Sequence, residues 1–374
     1  MRWTSHLVRD LPQLAALTDA LAGADLILAF PSTPLLPDLP ELLRALGRTG
    51  ARVVGCTGGS VLAAGTEAEN TAAVAILAGW LPDVAVEPFL IGSVALSGPW
   101  WEELNVQPEH EPTFLLFGEP HTCDAGQVCD DLDQAFPGCV KLGGLASGAR
   151  APGGNAVFLD ETVSPGGLVG VVLYGDVVVE PIVAQGCRPI GPAMRLTKVD
   201  GNMALELDGG PAVGALEQVF DDLSAADRAL FSKAPMVGMS VEQQVERLQP
   251  GRFLIRHIMG LDRSLGAIAV AASLDPGAWL QFHVRDAAGS ERELRELLSR
   301  AKPGAQAALM VSCLGRGRLF YGAPDVDSKA VLDTLGPVAL AGFFGNGELG
   351  PISGRTHLHG YTSSLALFRP RGWS

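Results

Sequence analysis

The chain has 374 residues, with 27 Lys or Arg against 41 Asp or Glu, a formal charge of −14; 47% of residues are hydrophobic and 18% charged. That apolar content excludes a disordered chain, and the acidic balance disfavours nucleic acid and anionic membrane surfaces as partners. Length alone predicts two domains, or three small ones.

The uncharged stretches 53–66 and 334–347 fall short of the roughly 20 apolar residues that a membrane-spanning helix needs. Arg9 and Asp10 interrupt the apolar run a signal peptide would need, and the six cysteines are too sparse for a disulfide scaffold. A cytoplasmic protein that does not enter a membrane is expected.

Three stretches then share one pattern. Asp25 to Phe30 reads as a strand, Leu39, Leu42, Leu43 and Leu46 as a helix face, and Arg52 to Gly65 as a strand running into a Gly-rich loop. The second starts at Pro112, places Val128, Leu132 and Phe136 on a helix, and ends in Val140 to Gly148. The third starts near Ala305, runs through Val331 and Leu335, and ends in Val338 to Gly350. A further apolar strand follows each: Ala72 to Ala78, Leu168 to Tyr174 and His359 to Phe368. The order is β-α-β-β, which predicts an α+β fold of mixed or antiparallel sheets with helices packed on them, built from repeated β-α-β-β units. Between the second and third units, Val177 to Thr197 and Asn202 to Leu207 read as strands and Pro211 to Phe231 as two short helices. Strands and turns run from Phe253 to Val284, and a helix from Ser290 to Arg300. The composition breaks at Gly209-Gly210-Pro211.

Several motifs fail on inspection. Gly345 to Gly350 matches G-x-G-x-x-G, but Pro351, Ser353 and Gly354 follow where a dinucleotide site opens a helix. No Gly-Lys pair exists for a Walker A loop, and Ser147 sits one position late for a nucleophile elbow. Cys123 and Cys129, near His121 and Cys139, are six apart on a helix, roughly 240° around its axis, which a shared metal does not allow. His357 and His359 share one face of a strand, as a surface or core pair or as ligands.

The ordered set Val54-Gly-Cys-Thr-Gly-Gly59 with Glu67 and Glu69, Gly143-Gly-Leu-Ala-Ser147, Gly170 to Gly175, Ala184-Gln-Gly-Cys-Arg-Pro-Ile-Gly191 with Thr197, Gly342 to Gly350 and Leu358-His-Gly-Tyr-Thr362 resembles the FIST family of sensory domains. The resemblance implies an N-terminal segment (1–23), a FIST N-terminal domain (24–208), a FIST C-terminal domain (209–369) and a short tail (370–374). It also implies a signal-transduction module that senses a small ligand such as an amino acid or similar metabolite. With no length expected for an output domain, signalling is expected to pass to a separate protein, or the chain to serve another purpose.

Gly-rich strand ends bring backbone N–H groups close to a small molecule. The polar residues they carry are Cys56, Thr57, Ser147, Arg188, Asn346, Glu348, His359 and Thr362. Arg188 would clamp a carboxylate and Glu348 would take an amino group. The alternatives are a structural ion pair for Arg188 and a loop carboxylate capping backbone N–H groups for Glu348. No cofactor is expected. Two other readings stay open: an enzyme built on Cys56, His359 and Glu348, and a sensor with non-covalent haem on His359.

Overall fold

The computed structural model describes residues 1–93, 96, 98–241 and 251–372. It forms two compact units, Met1–Val183 with Leu294–Ser374, and Ala184–Glu293. Residue 209 lies inside the second unit, so the spatial division does not follow the composition break.

In chain order, β1 (Arg2–Val8), α1 (Leu11–Leu17), β2 (Leu26–Pro31), α2 (Leu39–Gly47), β3 (Arg52–Cys56), the hairpin β4 (Ser60–Ala63) and β5 (Thr66–Glu69), and β6 (Val74–Trp80) form a first repeat. A second comprises β7 (Val84–Ile91), β8 (Thr113–Gly118), α3 (Ala125–Ala135), β9 (Val140–Leu145), the hairpin β10 (Val157–Leu159) and β11 (Thr162–Ser164), and β12 (Leu168–Gly175). A third opens with β13 (Val178–Ala184). The second unit then intervenes in the sequence: β14 (Cys187–Asp200), β15 (Met203–Leu207), β16 (Gly210–Pro211), α4 (Ala212–Asp222), α5 (Ala225–Lys233), β17 (Met236–Ser240), β18 (Phe253–Asp262), β19 (Ala267–Val270) and β20 (Trp279–Arg285). The third repeat resumes after α6 (Ala287–Ser299) with β21 (Ala307–Cys313), α7 (Arg318–Tyr321), α8 (Val326–Leu335), β22 (Ala339–Gly345), the hairpin β23 (Glu348–Ile352) and β24 (Arg355–His359), and β25 (Ser363–Arg369).

The three repeats have one topology. Their strands are ordered β1-β6-β2-β3, β7-β12-β8-β9 and β13-β25-β21-β22. In each, the two strands flanking the helix are parallel and the return strand is antiparallel to the first of them. The hairpins are exchanged in a cycle: β10 of the second repeat pairs with β3, β23 of the third with β9, and β4 of the first with β22. Each sheet is thereby completed to six strands by its neighbour. The expected α+β repeat is present, with an outer strand added to every unit.

One glycine per repeat makes the parallel pairs possible. A Cβ at Gly55, Gly143 or Gly342 would stand 1.8, 1.9 or 1.8 Å from the carbonyl oxygen of Ala29, Leu116 or Met310 on the facing strand. Gly143 and Gly144 are thus inside β9 rather than in the loop after it, a correction to the sequence reading. Gly350 likewise lies within β23, and the expected strand from His359 to Phe368 is divided between β24 and β25. The inner faces of the sheets share one core, in which Phe30, Phe117 and Phe343, one from each repeat, pack with ring centroids 4.9 to 6.0 Å apart.

In the second unit the sheet runs β14-β20-β17-β18-β19-β15-β16, and β14 also pairs with β15, so the ladder closes on itself. One surface packs Ile190, Val237, Ile258, Leu280 and Phe282 against Val213, Leu216 and Val219 of α4 and Phe231 of α5. The alternating residues Met236, Phe253, Ile255 and His283 are buried on the other surface.

Candidate functional site

The Gly-rich ends of β3, β9 and β22 do meet, and Ser147 joins them. Its buried hydroxyl donates to the Phe344 carbonyl and accepts from the Gly59 N–H at 2.8 Å. Its own N–H donates to the Thr57 carbonyl (3.1 Å), and the Thr33 hydroxyl donates to the Ser147 carbonyl (3.1 Å). Thr57 Oγ1 accepts from Ala156 N–H at 3.0 Å, and Asn346 N–H donates to the Leu145 carbonyl at 3.0 Å while its side chain faces solvent. These polar groups are spent on locking three repeats together. Ser147→Ala leaves a buried donor and acceptor without their common partner, and we expect a loss of about 2 kcal/mol in urea unfolding.

Glu348 and His359 face each other across β23 and β24. Register makes Glu348 the equivalent of Val61 and Val157, because these three stand opposite Gly144, Phe343 and Cys56. A carboxylate thus replaces an apolar residue at one of three matching positions. It is fully buried and accepts from the Thr362 N–H at 3.0 Å, while Thr362 Oγ1 donates to the Gly360 carbonyl at 3.1 Å. His359 Nε2 donates to the Gly350 carbonyl at 3.0 Å. Cys56 lies in the apolar core, and burial raises its thiol well above the ordinary value, which disfavours the thiolate that a nucleophile requires.

Arg188 belongs to the second unit, whereas Glu348 belongs to the first. Its guanidinium lies between Asp286, 3.1 Å from Nε, and Asp227, which receives Nη2. The pairing of β14 with β20 places Arg188 beside Asp286 at the start of α6. Burial would raise the Asp286 carboxyl, but hydrogen bonds from Gly289 N–H and Arg188, together with the Arg188 charge, hold it below its usual range. The expected carboxylate clamp is therefore an ion pair with two carboxylates of the protein itself.

Sequence reasoning missed a buried charge network at the end of β21. Arg316, 2% exposed, binds Asp327 through Nε (2.7 Å) and Nη2 (2.9 Å). Tyr321 Oη donates to Asp327 Oδ1 at 2.7 Å, and Ser312 and Ser363 donate to Oδ2 at 3.2 and 3.3 Å. Burial alone would raise the Asp327 carboxyl; the Arg316 charge and these bonds hold it low. Beside it, Glu67 of β5 accepts at Oε1 from Ser328 N–H (3.0 Å) and Oγ (2.9 Å) at the start of α8. Burial, reinforced by the charges of Asp327 and Glu69, pushes Glu67 up to about 7. The visible signal was Arg316 in a Gly-flanked turn directly after an apolar strand.

The second unit carries a hollow of about 700 Å³ between α4, α5 and β18. Leu216, Phe220, Phe231 and Ile258 line it, and a solvent-facing ion pair between Glu217 and Arg263 stands at its rim beside Asp221.

The sequence matches the FIST N domain over residues 25–210 and the FIST C domain over residues 212–351. An uncharacterized protein of Mycobacterium bovis is 36% identical over 374 residues, covering 97% of this chain and 92% of the relative. An uncharacterized protein of Mycobacterium tuberculosis is 36% identical over 328 residues, covering 85% of this chain and 84% of the relative. No helix among the described residues is long and apolar enough to cross a membrane. The chain belongs to the FIST family, whose domains are sensory and signal-transduction domains.

Proposed function

We propose that the chain is a cytoplasmic ligand-binding sensor that takes a small zwitterion with an apolar side chain, an amino acid or close analogue, in the hollow of the second unit, and signals to a separate output protein. The observation that carries this reading is an apolar hollow of about 700 Å³ with opposite charges at its rim, within the roughly 300–1,000 Å³ typical of ligand pockets. The apolar side chain fills the space under Phe220 and Phe231. Arg263 receives the carboxylate, and Glu217 and Asp221 receive the ammonium. The exposed Glu217–Arg263 pair contributes only about 0–1 kcal/mol, so a zwitterion can replace each half with a matching charge. The reading invokes no metal or haem.

Calorimetry against a panel of amino acids tests it. At least one apolar or aromatic member should bind, and Arg263→Ala should weaken that binding at least tenfold with the melting temperature unchanged. Failure of every panel member, or equal affinity in the variant, rejects the reading.

A further inference from the structure

On the surface of the second unit's sheet opposite α4 and α5, Met236 of β17 stands between His257 of β18 and His283 of β20, in register with both. Two residues on, Gly238 leaves room above the strand. A Cβ there would lie 2.5 Å from His283 Cε1 and 2.9 Å from Phe253 Cδ2. The imidazole and the Phe253 ring fill that room, with centroids 4.6 Å apart.

His283 is completely buried. Its Nδ1 lies 2.9 Å from the Gln281 carbonyl. A carbonyl can only accept, so the ring proton sits on Nδ1 and Nε2 keeps a bare lone pair, for which no partner exists among the described residues. Burial holds the ring neutral and lowers its pKa to about 4, against the Gln281 hydrogen bond. Gln185, 1% exposed, donates its amide N–H to the Phe253 carbonyl, which leaves Oε1 as a second buried acceptor without a partner. His257 Nδ1 on the same surface is also unpartnered. Buried polar atoms are nearly always paired, and an unmet acceptor costs about 1–3 kcal/mol.

We propose that His283 Nε2 and Gln185 Oε1 form a second binding site, which takes a small neutral molecule bearing an N–H2 group, of the primary carboxamide or urea class. Both acceptors are uncharged, and Arg285 follows two residues along β20 on the same surface. An ammonium would lose its hydration against two uncharged acceptors, while the Glu293 carboxylate beside Gln185 is engaged by the Gly186 N–H at 2.8 Å. A neutral donor meets the unmet acceptors without that penalty. The site is independent of the zwitterion hollow on the opposite surface.

The test uses the full chain labelled with ¹⁵N-histidine, with the His283 ring signals assigned by their loss in His283→Gln. Acetamide and N-methylurea are titrated, with methylammonium as a charged control and acetone as an acceptor-only control. The expected result is a saturable shift of the Nε2 signal with both donors and neither control, lost in Gln185→Leu and retained in Arg263→Ala. Absent or non-saturable shifts, equal shifts with acetone, or an Nε2 signal already at its hydrogen-bonded position in the free protein, meaning ordered water only, overturn the proposal. The wild-type titration decides alone if Gln185→Leu does not fold.

Discussion

Replacing Arg316 with Leu should cost about 3 to 5 kcal/mol, because it strands the Asp327 carboxylate in the interior without its counter-ion. Asp327 is 1% exposed and receives two of its five side-chain hydrogen-bond contacts from Arg316. Tyr321 and the two serines remain, but neutral donors do not cancel a buried charge. The network joins β21, α8 and the start of β25, so its loss should appear in global urea unfolding as a lower midpoint with an unchanged slope. The double variant Arg316→Met, Asp327→Leu should recover most of the loss, since replacing both members with apolar groups removes the stranded charge. A single-variant loss below about 1 kcal/mol would show that water reaches Asp327 and that the pair is not dry.

The three β-α-β-β units were legible because the strands flanking each helix are mostly apolar and α2 and α3 carry regular apolar faces. The sheet-edge strands β7 and β11 were less so. β7 is mostly half-exposed and contains Glu87 and Pro88, and β11 is three residues long with exposed Thr162 and Val163. Neither carries enough periodicity to be read. The cyclic exchange of hairpins was unreadable, because β4 and its partner β22 lie far apart in the sequence, with Val61 facing Phe343, and no local preference specifies that pairing. The same limit governs the site. That the Gly-rich strand ends could converge followed from their repeated position, but Ser147 meets partners 88 and 197 residues away. Arg188 could be read as a cation with a job. That its carboxylates are Asp227 and Asp286, rather than a ligand's, is decided by how α5 and the start of α6 pack beside β14.

Glu67→Gln should raise stability near neutral pH by about 3 kcal/mol while leaving it nearly unchanged below about pH 4.5. The carboxyl rises from its ordinary 4.5 to about 7 in the folded protein, and a shift of that size corresponds to about 3 kcal/mol. The folded state therefore binds the proton more tightly than the unfolded chain. Between about pH 4.5 and 7 the unfolded chain gives up this proton first, so the Glu67 contribution makes stability fall as pH rises, and it levels off above about 7. Burial drives the shift, with Asp327 and Glu69 adding repulsion; the hydrogen bonds from Ser328 oppose it without reversing it. Gln keeps an oxygen for Ser328 and carries no charge at any pH. His283 acts in the opposite sense: its pKa is lowered from 6.5 to about 4, so its contribution makes stability rise over an overlapping window. The wild-type curve sums both, and the difference between variant and wild type isolates Glu67. The measurement is urea unfolding of both proteins at half-unit steps from pH 4 to 8. A difference that stays constant across pH 4.5 to 7 would mean that Glu67 ionises as in water, and the dry environment assigned to the start of α8 would be wrong.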